Sequence, residues 1–470
     1  MDAEGVWAVE QFGQVELGDR RRTQRAVDMA QAMARRPGDG LVKQMGDWNG
    51  QRGAYRLLDN EEVSHEGLSR PHWEATRQRA GQSGLVVLMV QDITELDYSA
   101  HEATEGLGPI GDHRGRGLLV HNTLAIEPSQ RRVLGLAYQQ VWVREEKAHV
   151  QPVGCQGQET RGARQQRAPR QSQRWVKAVQ AIGAPPEGVR WVHVADRESD
   201  IFPFFQSVRA SGVDFCVRLV QNRRLAEWTE DAPRYLLDAA RQVPAMGQRM
   251  LDLPAKPGQA TRTAHLSVSW QPVTLRSPRN TPGMDTLLPA WVVRTWEPEP
   301  PPDTPAVEWL LLTSVPVTCL EDALERIDWY TCRWIIEEYH SCLKTGCALE
   351  KSQLQHAQRL QRLLAFLSIL AVRLLQLRDL SRSTPQLLAR QAVQGVLVQI
   401  IAYRTHSNPN TLTLVQFWRS VAALGGFPGR KSDGQPGWKR LWHGWLRLLD
   451  LAEGATIALN LPPLLDVGNP

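Results

Sequence analysis

No uninterrupted apolar run in this sequence reaches the length of a bilayer-spanning helix. The longest run, Leu363 to Val372, is ten residues held between Arg362 and Arg373 and includes Ser368, where a span needs about 20. A buried helix of a globular protein is predicted there. The opening residues, MDAEGVWAVEQ, carry acids where a secretory leader would carry basic residues ahead of an apolar core, so the expectation is a chain that stays in the cytoplasm. Cysteine is scarce: Cys155, Cys216, Cys319, Cys332, Cys342 and Cys347 form no CxxC pair, and Cys342 with Cys347 has no second pair to complete a zinc site. Reduced, mostly buried thiols are expected. No glycine-rich phosphate loop follows a strand pattern, which sets aside kinases and dehydrogenases, and no repeat of solenoid length is visible.

What is present is ordinary in bulk. The 470 residues are 42% hydrophobic and 22% charged, which excludes wholesale disorder and fibrous repeats and leaves room for two to four folding units. The net charge is +5, from 55 basic and 50 acidic residues. Its distribution is more telling than its size. Basic side chains cluster at Arg20, Arg21, Arg22 and Arg25, at Arg131 and Arg132, along Arg161 to Lys177 (Arg161, Arg164, Arg167, Arg170, Arg174, Lys177), and at Arg218, Arg223 and Arg224. Several separate patches suit a phosphate backbone contacted at many points, although any one cluster reads equally as a solvated face. Tryptophan is unusually frequent, at 17 residues, and indoles serve both cores and base stacking.

The pattern divides the chain. Residues 1–80 read as a helical head, with Ala26, Met29, Ala30 and Met33 at helix spacing and Ala54, Tyr55, Leu57 and Leu58 on a second helix. The continuous run Leu85 to Val90 then ends at Gln91-Asp92, as a buried central strand does. Further strands are expected over 117–126, 132–143 and 189–195, the last ending at Asp196. Residues 81–221 therefore read as the first part of an α/β core. Alternating patterns broken by proline-rich connections mark 222–308 as an all-β insertion. A strand at 309–313 and two long helices, Glu321 to Leu343 and Leu354 to Arg382, return to the core over 309–375, and 376–470 is a helical tail in which Trp438, Trp442 and Trp445 recur at helix spacing.

Asp92 and Asp196, 104 positions apart, thus stand at the ends of two buried strands, where open α/β sheets place their ligands. Carboxylates that share a pocket repel, and cations that neutralise them with oxygen ligation are Mg²⁺ or Mn²⁺. Strand-end turns also favour aspartate, so two acids decide little. The helix over 327–345 adds Tyr330, Arg333, Glu337 and Lys344 at offsets 0, 3, 7 and 14, a stripe roughly 60° wide. Opposite it, Cys332, Ile335, Ile336, Tyr339 and Leu343 form a buried face. A solvated face is the commoner cause of such a stripe. This one, however, aligns a phenol, a guanidinium, a carboxylate and an ammonium, a set suited to phosphate and metal.

Those four residues spell Tyr-x2-Arg-x3-Glu-x6-Lys, and with VVLMVQDIT around Asp92 and Asp196-Arg-Glu-Ser-Asp200 they give the chain its resemblance. The sequence resembles the cut-and-paste DDE transposases of the IS-four superfamily of insertion sequences. LGDRRRTQR near the start, GAYRLL at 53–58, EWLLLTSVPV at 308–317 and AVRLLQLR at 371–378 extend the likeness over nearly the whole chain. The resemblance implies an RNase H-like catalytic core with the β insertion, an N-terminal domain that recognises transposon ends, and a C-terminal dimerisation region.

It also implies that Asp92, Asp196 and Glu337 hold two Mg²⁺ ions, Mn²⁺ substituting. Cleavage would pass through a DNA hairpin and the freed 3′-OH would join target DNA, two protomers acting in a synaptic homodimer. Tyr330, Arg333, Lys344 and Arg218 would contact phosphates, Trp309 and Trp334 would receive the flipped base, and Arg22, Arg25 and Arg56 would touch end DNA. The rivals are an RNase H-like metal-dependent nuclease and a silent, transposon-derived DNA-binding protein; all three acids are retained, which argues against the second. Glu198 and Glu338 neighbour the implied ligands, but Glu338 points about 100° away from Glu337.

Overall fold

The computed structural model describes residues 3–145, 173–227, 233–253, 262–278, 287–302, 304–430 and 433–460. The arginine-rich positions Arg161, Arg164, Arg167 and Arg170, together with Cys155, lie outside them. The chain gathers into two compact units. One comprises residues 75–94 and 119–336, the other 1–74, 95–118 and 337–470.

The first unit carries most of one ten-stranded mixed sheet, in the order β2 (Gly108–Ile110), β3 (Gly115–Glu127), β1 (Val86–Asp97), β5 (Arg190–Ala195), β6 (Asp214–Arg218), β10 (Glu308–Thr313), β9 (Leu287–Trp296), β8 (Arg262–Arg276) and β7 (Gly247–Leu253), with β4 (Arg132–Trp142) also paired to β3. Its α/β part comprises β1 (Val86–Asp97), β3 (Gly115–Glu127), β4 (Arg132–Trp142), β5 (Arg190–Ala195) and β6 (Asp214–Arg218). β1 and β5 pair in parallel, as do β5 and β6, and Val87 to Val90 are fully buried, which is why this stretch reads as an unbroken apolar run. The mixed order and the helices around it are the α/β core that the resemblance leads one to expect. β10 (Glu308–Thr313) pairs antiparallel with β6, and β9 (Leu287–Trp296), β8 (Arg262–Arg276) and β7 (Gly247–Leu253) continue the same sheet as an antiparallel meander. The segment expected to be all-β therefore extends the central sheet, and it also carries one short helix, Leu236–Gln242, whose Leu236 and Ala240 are buried.

Two helices of this unit, Gln173–Ile182 and Phe202–Ala210, cover one face of the sheet with Trp175, Phe204 and Phe205 against Met89 and Phe215. The helix Leu320–Thr331 covers the other, burying Ala323, Ile327 and Tyr330 at helix spacing.

In the second unit, the N-terminal region is helical: α1 (Ala3–Phe12), α2 (Arg20–Arg35), α3 (Leu41–Met45), α4 (Trp48–Asp59) and the start of α5 (His65–Gln82). Asp19 caps α2 by accepting from the Arg21 amide at 2.8 Å, so LGDRRRT begins a helix because its aspartate satisfies an orphan N–H. Ala26, Met29, Ala30 and Met33 are all buried, as their spacing predicts. The helix Ala357–Ser383 holds the run Leu363 to Val372 inside the protein. It is the one helix among the described residues long and apolar enough to cross a membrane, and it is largely buried here. Its Arg359 pairs with Asp59 at 2.6 Å, and Arg362 donates to the Leu58 carbonyl that ends α4.

The helical tail closes on tryptophan. Trp438 stacks on Trp442 and Trp418 on Trp445, at 5.8 and 5.1 Å between centroids, so these indoles are core rather than base-stacking surface.

Candidate active site

β1 does not stop at Asp92, as its apolar run suggested. The strand continues five residues to Asp97 while keeping β3 as its neighbour. What ends is its parallel pairing with β5, at Val90 opposite Val194. Asp92 stands two residues past the last paired position on β1 and Asp196 one residue past the end of β5, so the parallel register brings both to the carboxyl ends of neighbouring strands. The same register carries across β6, where Val217 lies opposite Ala195 and the next residue, Arg218, is level with Asp196. Alternation along β6 explains its direction: Phe215 and Val217 enter the aromatic core, whereas Cys216 meets the carbonyl of Arg326 in the helix on the opposite face. Arg218 shares the Cys216 face.

Asp196 does more than end β5. Its Oδ1 accepts from the Glu198 amide at 2.9 Å and caps a 3-10 turn over Arg197–Ser199. The turn holds the carboxylate at the strand end, while Glu198 is exposed.

The helix expected as one rod over Glu321 to Leu343 is two. The first ends at Thr331, where Arg131 donates to the Thr331 hydroxyl at 2.8 Å and to its carbonyl at 3.0 Å. Cys332 and Arg333 form a tight link with three-residue bonds, Arg333 N to Tyr330 O and Ile336 N to Arg333 O. Trp334–Ser341 resumes the helix, which then widens into a π turn over Cys342–Gly346. The buried face is nonetheless as expected: Cys332, Ile335, Ile336, Tyr339 and Leu343 are all inside. Arg131, assigned to a basic patch on spacing, is thus engaged in capping a helix, and Arg132 pairs with Glu127 at 3.3 Å.

Around the two aspartates the first unit gathers a group of phosphate-seeking and stacking side chains. Arg333 places Nη1 3.5 Å from Asp92 Oδ2. Arg218 donates to the Tyr330 hydroxyl and, through Nη2, to the Glu308 carbonyl at 3.2 Å. Burial raises the Tyr330 phenol above its ordinary pKa, with Arg333 and Arg218 opposing the shift, and burial lowers Arg218. Trp309 is half-buried and meets Tyr330 edge-on at 5.6 Å. The Arg333 guanidinium lies 4.9 Å from the ring centre of Trp334, which is 51% exposed. Trp309 and Tyr330 in ring contact, with the Arg333 guanidinium between the Tyr330 and Trp334 rings, therefore form a continuous row of stacking groups and one cation.

The remaining expected residues belong to the other unit. Glu337 is half-buried, four residues after Arg333. Lys344 sits in the π turn with Nζ 3.7 Å from Glu350. Glu338 pairs with the buried Arg378 at 2.6 Å, which accounts for it as an ion-pair partner rather than a ligand. In the head, Arg22 donates to the Leu17 carbonyl, Arg25 lies across Gly53, where a Cβ would clash with its guanidinium, and Arg56 is exposed beside Trp48, Arg52 and Tyr55.

Spacing missed Asp200 and Arg223. Asp200 looks like one more acid of a ligand block, and Arg223 was counted in a basic cluster, yet they form a buried ion pair at 2.6 Å. Only their burial reveals it.

Asp92 and Asp196 fit a hard divalent cation in donor type and in their shared row. Among the described residues no group of three or more His, Cys, Asp or Glu side chains stands together as a finished metal centre, so two acids alone are an incomplete shell.

The family model for transposase DNA-binding domains matches residues 4–63, and that for the transposase DDE domain matches residues 189–373. Together the two matches fit a DDE transposase of the IS-four type. The matched head covers α1 to α4, and the matched DDE region runs from β5 through the Tyr330 to Lys344 signature. This transposase binds DNA, and its DDE domain makes it a DNA-cleaving enzyme of a divalent-metal-dependent kind.

Proposed function

We propose that this transposase cuts both strands at its transposon ends through a DNA hairpin and joins the freed 3′-OH to target DNA. Asp92, Asp196 and Glu337 are the proposed catalytic acids. The observation that carries the reading is that Asp92 and Asp196 follow the paired stretch of two neighbouring parallel strands at their carboxyl ends, with Arg218 at the end of the next strand and Arg333 against Asp92. Bound there, two Mg²⁺ or Mn²⁺ ions would supply activation of the attacking oxygen and charge stabilisation at the departing one.

The chain's own residues do the rest. Asp92 and Asp196 offer oxygen donors from the carboxyl-end side of two inner strands, and Glu337 supplies the third carboxylate from a helix. Arg218, Tyr330 and Arg333 hold the phosphate beside the scissile bond, with Lys344 contributing a further cation. A hairpin demands a sharply bent strand, and extruding a base relieves it; Trp309 and Trp334 offer ring faces on which that base stacks. The head, residues 1–80, recognises the end sequence, with Arg22, Arg25 and Arg56 at phosphates or base edges. The tail, 376–470, joins two protomers so that each end is cut only when both are held.

The test separates binding from chemistry. Asp92→Ala, Asp196→Ala and Glu337→Ala should each lower strand cleavage on the order of 10³-fold or more while end-DNA affinity holds within about twofold. Normal cutting by any one of them would remove that residue from the site, and cutting of single unpaired ends by the native protein would favour a nuclease.

A further inference from the structure

The carboxylate at the end of the Asp196-Arg-Glu-Ser-Asp200 block is fully buried. Its Oδ2 accepts from two consecutive amides, Val220 N and Gln221 N, both at 2.8 Å. Its Oδ1 accepts from Arg223 Nε at 3.1 Å and from Nη2 at 2.6 Å, and Nη2 donates again to the Asp200 carbonyl. Arg223 is itself buried and lies over the Phe205 ring at 5.5 Å. Every bond joins the turn after β5 to the chain just after β6. Asp196 enters that turn four residues before Asp200, and Arg218 precedes the first clamped amide by two.

A buried ion pair is a poor device for stability alone, since desolvating two charges offsets most of their attraction and a packed apolar pair holds two loops as well. What it supplies is direction. Two amides and a forked guanidinium converging on one carboxylate fix the path of the backbone to a degree that apolar packing does not.

We infer that Asp200 and Arg223 are positioning residues for DNA cleavage, holding the Asp196 carboxylate and the Arg218 guanidinium level with each other. The inference rests on the proposed roles of Asp196 and Arg218. It assigns to this buried pair the orienting work that second-layer partners perform around metal ligands, where their loss costs 10- to 100-fold in metal affinity or activity.

The experiment uses the full chain and four variants, Asp200→Asn, Arg223→Lys, Asp196→Ala and Arg218→Ala, at a temperature well below each melting transition. Arg223→Lys keeps the charge and loses the fork, and it serves if Asp200→Asn does not fold. A control, Val208→Ala, removes buried volume in the helix Phe202–Ala210 behind the sheet, lowering the melting temperature without touching the clamp. The readouts are Mn²⁺ affinity of the DNA-free protein by electron paramagnetic resonance, end-DNA affinity, and the single-turnover rate of the first nick.

The expected result is Mn²⁺ affinity and nicking rate each about 10-fold or more below native in the clamp variants, end binding within about twofold, and both functional readouts near native in the control. Clamp variants that match the control at equal loss of melting temperature would reduce the pair to a structural one and overturn the inference. If Asp196→Ala and Arg218→Ala themselves cut normally, the reading of the site has failed instead, and the two failures are distinct.

Discussion

Tyr330 shows how one side chain is shaped by its surroundings. It is buried, takes a hydrogen bond from Arg218, has Arg333 nearby and presents its ring to Trp309. A phenol so placed keeps its proton because burial disfavours the phenolate, so it accepts from Arg218 and still has an O–H to donate to a phosphate oxygen. Trp309 is only partly covered, which leaves part of its ring open to a base. Trp309→Ala should therefore slow hairpin closure about tenfold with the first nick within about twofold, the stacking of one base being worth about 1–3 kcal/mol; denaturing gels that resolve nicked from hairpin ends check it. Equal loss at both steps would make Trp309 a packing residue. The Tyr-Arg-Glu-Lys spacing and both aspartates were legible in the sequence because chemistry constrains residue type and distance along the chain. The Asp200–Arg223 pair was not, because burial is a property of the folded chain and a buried acid has the same letter as an exposed one.

Elements were read well where period and length agreed, and less well where a local bond intervened. β1 and β5 were visible as apolar runs, but the end of a run is the end of burial on both faces, not the end of a strand, which is why β1 runs past Asp92 to Asp97. The long helix through Tyr330 and Glu337 kept its 3.6-residue apolar face across a break, so periodicity hid the tight two-residue link at Cys332–Arg333 and the π turn that carries Lys344. The β insertion was legible as strands, whereas its continuation of the central sheet through β10 was not, since pairing partners are not local. In the tail, Gly425 and Gly444 let two helices meet: a Cβ on Gly444 would lie 1.7 Å from the Val421 carbonyl oxygen. Gly444→Ala should cost about 3 kcal/mol by overpacking, measured by denaturant unfolding. An unchanged midpoint would contradict the close approach.

At the scale of the molecule, the first unit carries a polar weakness in its core. His121 and His193 are completely buried, and burial pushes both down to about 3, with Arg174 adding to the effect on His121. Gln91 is hydrogen-bonded to His193 Nδ1. Both rings are neutral when folded and gain a proton on unfolding below their ordinary value of 6.5. Stability should be level above about pH 6.5 and fall as pH drops toward 3, by up to about 1.4 kcal/mol per pH unit for each histidine. Denaturant midpoints at pH 7.5, 6 and 4.5 test this, and a flat profile would contradict the burial of neutral rings.

That two matched regions, a helical DNA-binding head and a DDE core, stand in one chain with a Tyr-Arg-Glu-Lys signature makes the reading of a cut-and-paste enzyme a claim about the entire protein. Its most direct test is cleavage of DNA carrying the sequences that flank the gene, with one or two ends per molecule, native protein beside Asp92→Ala, and Mg²⁺ or Mn²⁺ added or withheld. The account predicts double-strand cuts at a discrete end through a hairpin, only with metal, only when two ends are paired, and none from the variant. Specific binding without cutting, or cutting by Asp92→Ala, would contradict it.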